Sequence, residues 1–165
     1  MEQTDADTPQ ILKGRAAYAA KVLEVVAGAQ AELLLHSDAL DRFYYGGDDF
    51  AEAVKRFLLA SPRAHLKVLV NQGQQARRSV PHLLELAHRI SSRIEFREPP
   101  EQQREAFTGE WLIADRRTLL ERATPEALDS KFWPQAPRRG KLHSEEFDGR
   151  WNEAEPSQEL RSLGI

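Results

Sequence analysis

Several polar residues in this chain close apolar runs, the positions from which a side chain can meet a ligand. His36-Ser37-Asp38 follows Glu32-Leu33-Leu34-Leu35, and Asn71-Gln72 follows the run from Ala64 to Val70. An imidazole, a hydroxyl, a carboxylate and two amides at strand ends could contact a ligand or satisfy their own loops. Asp115 ends Trp111-Leu112-Ile113-Ala114 and is followed by Arg116-Arg117 and a second apolar run. Two short runs about a charged turn predict a β-hairpin with an acid at its corner. That acid either steadies the turn with Arg116 or Arg117 or works at the mouth that His36 faces. His65 and Lys67 share one strand face, but at the strand's beginning, remote from the ligand loops. His82 and His88, six residues apart, are too far around a helix to share a metal, so no metal site is expected. Tyr44-Tyr45 could form an aromatic lip or cover the start of a helix, and the dibasic pairs Arg77-Arg78 and Arg138-Arg139 could hold phosphates or be solvated.

These residues need elements to position them. Tyr18, Val22, Val25, Val26 and Ala29 recur at helical spacing between Gly14 and Ala29, which predicts a first helix. The run 32–36 suits a central strand buried on both faces. Asp48-Asp49 supplies an N-cap for a second helix bearing Phe50, Val54, Phe57 and Leu58, and Ser61-Pro62 stops it. A second strand over 64–70 leads through the polar loop NQGQQARR into a third helix that opens at Pro81. Arg93 to Arg97 alternates as an edge strand does, and Pro99-Pro100 ends it. After the hairpin, Pro125, Pro134 and Pro137 predict an irregular stretch, then a final helix near Arg138 to Glu153 anchored by Phe147 and Trp151. Alternating α and β units predict an α/β fold whose polar loops, His36-Ser37-Asp38 and Asn71-Gln72-Gly73, gather beyond the strand ends.

Composition limits the classes further. A chain of 165 residues fits one domain, taken here as residues 11–155 between a flexible N-terminal tail (1–10) and a C-terminal tail (156–165). With no cysteine, disulfides and thiolate chemistry are excluded, which fits a cytoplasmic setting. The start MEQTDADTPQ lacks the pattern of a signal peptide, and no apolar run approaches the ~20 residues of a membrane span. A net charge of −3 is no footprint for general nucleic-acid binding, although 17 arginines against 6 lysines leave room for a local patch.

Three segments, AELLLHSDALDRFYYGGDDF, SSRIEFREPP and FTGEWLIADRRTLLER, resemble in order and pattern a half-domain of the phospholipase D superfamily, over roughly Gly14 to Trp151. The resemblance implies an αβα sandwich with a mixed, mostly parallel sheet and a C-terminal hairpin plus helix. It also aligns Asp115 with the last residue of the signature HxKxxxxD, which puts Thr108 and Glu110 where the family carries its histidine nucleophile and a lysine. Threonine cannot replace an imidazole, and glutamate repels the phosphate that lysine attracts. More narrowly, the chain resembles degenerate, uncharacterised bacterial members that have lost the signature and are sometimes found beside acetyltransferase domains. The expectation is therefore a cofactor-free pseudoenzyme that binds a ligand or protein partner through His36, Ser37, Asp38, Asn71, Gln72, Thr108, Glu110 and Asp115. Two alternatives are a phosphodiesterase with a displaced histidine, His36 or His65, and a nucleic-acid-binding adaptor. Because the family builds its site from two half-domains, a homodimer is expected. Trp111, Trp133, Trp151 and the Tyr44-Tyr45 pair exceed what a small core clearly needs and suit an interface.

Overall fold

The computed structural model describes residues 8–161. In chain order it contains β1 (Gln10–Leu12), α1 (Arg15–Gly28), β2 (Glu32–Ser37), α2 (Arg42–Tyr45), α3 (Asp48–Ala60), β3 (His65–Val70), α4 (Gly73–Ser79) and α5 (Pro81–Arg89). There follow β4 (Ile94–Glu98), β5 (Glu110–Ala114), β6 (Thr118–Arg122), β7 (Ser130–Trp133), α6 (Pro137–Glu153), β8 (Glu155–Pro156) and α7 (Gln158–Arg161). The strands form one mixed sheet in the order β1-β7-β6-β5-β2-β3-β4-β8.

Helices cover both faces, which makes an α/β sandwich. Leu33, Leu35, Val68, Val70 and Leu112 point to one side and pack against α1, α3, α4 and α5. Leu34, Leu69, Trp111, Ile113 and Leu119 point to the other, where Phe147 and Trp151 of α6 meet them. The alternation follows from the two-residue period of a strand. Because β2 lies between β3 and β5, both its faces are covered, and Leu33, Leu34 and Leu35 are all fully buried. Leu33, Leu35, Val68, Val70, Leu112 and Ile113 sit in adjacent central strands, as their apolar runs predict.

Several expectations change. The sheet is mixed, but only the β2–β3 and β3–β4 pairings are parallel; the hairpin and the β1, β7 and β8 additions are antiparallel. The edge strand β4 is capped by β8, and the expected tail from 156 onward continues as α7, whose Leu160 is buried. Gln10, assigned to the N-terminal tail, pairs in β1 with Phe132. Residues 1–7 and 162–165 of those tails lie outside the described residues. Gly47 rather than Asp48 caps α3, and the two aspartates lie in its first turn, beside the helix's positive end. The NQGQQARR loop is mostly helix α4, and the proline-marked stretch holds β7.

The hairpin turn is of the primed type. Asp115 and Arg116 both have positive φ, 53° and 62°, and Arg117 N–H donates to the Ala114 carbonyl at 3.1 Å. Asp tolerates this region better than most residues, and the turn's twist matches the flanking strands.

Candidate functional site

The parallel strands β2 and β3 end side by side, and their following loops are tied together. Asp38 accepts from the Asn71 amide at 3.0 Å and the Gln72 amide at 2.7 Å, and its carbonyl accepts from both backbone N–H groups. Because β5 runs antiparallel to β2, its first residue, Glu110, arrives at this same end. Glu110 is buried, accepting from Ser37 Oγ at 2.8 Å, from Asp38 N–H at 2.7 Å and from Arg122 at 3.4 Å. Ser37 Oγ in turn accepts from the N–H of Leu40, whose φ of 55° bends the loop over the strand end.

Arg122, opposite Glu110 in the hairpin register, is also buried. Its guanidinium donates to the carbonyls of Pro125 and Ala127 and lies 4.2 Å from the Tyr44 ring centre and 4.7 Å from that of Tyr18. Tyr18 and Tyr45 share a 3.3 Å contact between hydroxyls, and burial pushes both phenols up. Burial likewise raises Glu110 to about 7, outweighing the bonds from Asp38 and Ser37 and the charge of Arg122. A carboxyl raised in the fold contributes stability below its ordinary pKa that is lost as pH climbs through about 7.

A cavity of about 670 Å³ opens beside this pair, lined among others by Arg15, Asp38, Asp41, Arg42, Tyr44 and Gln72. Most of its charges are matched: Arg122 with Glu110, Arg15 with Asp41 at 3.8 Å, and Asp38 with the two amides.

His36 lies on the opposite face of the sheet. Its ring is stacked between Phe107 and Trp111, with centroids at 3.9 and 4.0 Å, and is fully buried. Nδ1 faces the Gly109 carbonyl at 3.0 Å, so that nitrogen carries the proton, while Nε2 has no partner. Burial lowers the imidazole to about 3. A buried, neutral ring between two aromatics has no path to an external phosphate.

The sequence-derived candidates therefore divide. Ser37, Asp38, Asn71, Gln72 and Glu110 gather at one mouth. Thr108 precedes the positive-φ Gly109 and lines a second cavity of about 440 Å³ with Trp111, Glu121 and His143. His143 bonds Glu121 at 3.0 Å and the Arg139 carbonyl, and the Glu121 bond raises its pKa. Asp115 is not at the mouth His36 approaches. It lies at the far end of β5, where its carboxylate accepts from the N–H groups of Gln30, Ala31 and Glu32 at 2.8–3.0 Å. The antiparallel pairing of β5 with β2 is the reason: the two strands carry their C-terminal residues to opposite ends. His65 is also at that far end, with Nε2 3.3 Å from Glu32.

The large aromatics are not spare. Trp111, Trp133, Trp151, Tyr44 and Tyr45 are all buried, because the sheet has two faces to fill and α6, with Phe107 from the segment before β5, covers one of them. The exposed rings and aliphatics are Phe43, Ile11, Leu59, Leu128 and Leu142. Sequence reasoning missed Arg122, because a strict two-residue turn at Asp115-Arg116 would set Glu110 opposite Glu121, whereas the observed register pairs Ala114 with Thr118 and so brings Arg122 opposite Glu110. Among the described residues no group of three or more His, Cys, Asp or Glu could hold a metal ion, and no helix is long and apolar enough to cross a membrane.

The sandwich has the phospholipase D-like fold. Solved structures of similar fold include Nuc from Salmonella typhimurium, a phospholipase D family member (TM-score 0.62, 14% identity, covering 90% of this chain and 98% of that one). NucT from Helicobacter pylori is also similar (TM-score 0.63, 6% identity, 91% and 99% covered). So is TrmBL2, an archaeal chromatin protein described with a novel mode of DNA binding (TM-score 0.67, 20% identity). There the match covers 92% of this chain but 54% of the chromatin protein, so this chain spans about half its length. No curated protein matches in sequence. The chain belongs to the family DUF7931, a domain of unknown function, whose model matches residues 14–163.

Proposed function

We propose that this chain is a degenerate, non-catalytic phospholipase D-like domain of the cytoplasm that binds a ligand or protein partner at the mouth between the β2, β3 and β5 ends. One observation carries the reading: Glu110, where the resemblance calls for a lysine, is buried and held by Arg122, Ser37 and Asp38. A position meant to grip phosphate has become an internal ion pair. The matched charges of the neighbouring cavity favour a neutral or weakly cationic hydrogen-bonding ligand over a phosphate. A displaced nucleophile finds little support, since His36 is enclosed and His65 lies at the other end beside Glu32.

The direct test is a metal-free nuclease assay on fluorescent DNA and RNA. The expected result is no cleavage above an unfolded control; turnover that depends on the native fold would overturn the reading. We further propose a homodimer formed across the mouth, with Leu128, which lines the cavity, and Phe43, which lies under the lining residue Arg15, both half or more exposed, as its apolar contacts. Light scattering at tens of micromolar checks this, and a mass of one 18.8 kDa chain would refute it.

A further inference from the structure

The end of the sheet opposite the mouth carries charge of a different kind. There the hairpin turn holding Arg116-Arg117 and the first turn of α6 holding Arg138-Arg139 are fixed against each other. Ala136 N–H donates to the Arg117 carbonyl at 2.7 Å, and Gly140 presses so closely that a Cβ there would stand 2.6 Å from the Arg116 carbonyl oxygen. Two dibasic segments distant in sequence thereby share one ridge.

Arg116 is occupied by Glu32 and Asp148, at 2.8 and 2.7 Å. Arg139 lies over the Trp133 ring at 4.6 Å. Arg117, Arg138, Arg139 and Lys141 are exposed and have no carboxylate partner among the described residues. Of the nearby acids, Asp115 is turned onto three backbone N–H groups, Glu32 and Asp148 hold Arg116, and Glu145 is exposed on the next turn of α6. In a chain of net charge −3, this is a local surplus of cations on a rigid support.

We propose that this ridge is a docking surface for the phosphate backbone of duplex DNA. Guanidinium forks match phosphate oxygens, and backbone contacts of this kind need no base readout. Unpaired strands are gripped by stacking on exposed aromatics, but here Trp133 is buried beneath Arg139. Membrane-surface binding needs an apolar face beside the cations, whereas Leu142 is the one large exposed hydrophobic on this part of α6. The surface lies away from the mouth and does not depend on the mouth's having a ligand.

The test titrates the full chain into a fluorescent random-sequence duplex at about 50 and 200 mM salt. With about four phosphate contacts, the log–log salt slope is expected near 3 to 4, a loss of roughly 100-fold between those conditions. Arg117→Glu with Arg138→Glu should weaken binding more than tenfold. Lys141→Gln, a neutral change at an exposed helix position, should lower the slope by about 1. The other dibasic pair, changed by Arg77→Glu and Arg78→Glu on α4, should leave binding unchanged. The proposal is overturned if the native chain leaves the duplex unbound at low salt, if Lys141→Gln leaves the slope intact, or if it binds only phosphatidylserine vesicles. A weakening by the Arg77/Arg78 changes equal to that of the ridge changes overturns it as well. Binding without cleavage leaves the mouth reading standing, and cleavage indifferent to the ridge variants sinks that reading by itself.

Discussion

The two ends of the central sheet carry similar residue types and use them in opposite ways. At the mouth, Glu110 and Arg122 are buried and bound to each other and to Ser37, Asp38 and the 124–127 carbonyls, with Nε of Arg122 left without a partner among the described residues. At the hairpin end, Asp115 serves backbone N–H groups while neighbouring arginines stand in solvent. Burial explains the difference. A charge withdrawn from water must find a partner or lose its charge, whereas an exposed one is free to meet a ligand. The end that the phospholipase D resemblance marks for chemistry is thus the one committed to holding the fold together.

The mouth is where the largest effects are expected. Arg122→Met should cost about 3 to 5 kcal/mol by urea denaturation, because it leaves the buried Glu110 without its counter-charge and strips donors from the loop carbonyls. A loss below about 1 kcal/mol would show that the pair is solvated and that the contrast between the ends is false. Restoring the signature with Thr108→His and Glu110→Lys should create no phosphodiesterase activity. The new ammonium would face Arg122 in a buried site, and Thr108 lines a different cavity from the one beside Glu110. Strong hydrolysis absent from the parent would mean that the groove is still organised for phosphate.

Core truncation comes next and ignores the polarity of the ends. Leu35 is fully buried on the face of β2 that packs against α1, α3, α4 and α5, and Leu35→Ala should cost about 2 to 5 kcal/mol.

The pH dependence sharpens the mouth further. His36 falls to about 3 in the fold through burial, so its contribution is complete above the ordinary imidazole value and is lost as pH drops from about 6.5 toward 3. His36→Phe keeps an aromatic in the stack and removes the titration. Between pH 7 and 4 the stability gap between wild type and variant should shift on the order of 2 to 3 kcal/mol against the wild type. A pH-independent gap would mean that the ring is open to protonation.

Much of this arrangement was legible in the residues. The leucine run 33–35 predicted a doubly covered strand, and two apolar runs around Asp115-Arg116 predicted the hairpin, both as found. Strand direction was the hidden variable for the site. Nothing in the pattern of Trp111 to Ala114 states that β5 runs against β2, and on that choice depends whether Asp115 or Glu110 reaches His36. Short pairings were hidden for a related reason. Strand β8 is two residues, and β7 is four residues between prolines, too short for a period of two to stand out. The tryptophans misled because their number was weighed against one core, whereas the sheet builds two.

The smallest effect belongs to the hairpin end and probes whether Asp115 is structural there. Its carboxylate accepts three backbone N–H bonds from residues 30–32, which lead into β2. Asn keeps an acceptor oxygen and tolerates the positive φ of 53°, so Asp115→Asn should lose about 1 kcal/mol, from the missing charge-assisted bonds alone. Asp115→Val loses the bonds and adds a β-branched side chain where φ is positive, so it should cost distinctly more. Equal losses for the two would show that the turn conformation contributes nothing. If instead Asp115→Asn left stability unchanged while weakening a partner measured at the ridge, the hairpin acid would act at the exposed surface. The two ends would then differ less in kind than the burial of Glu110 implies.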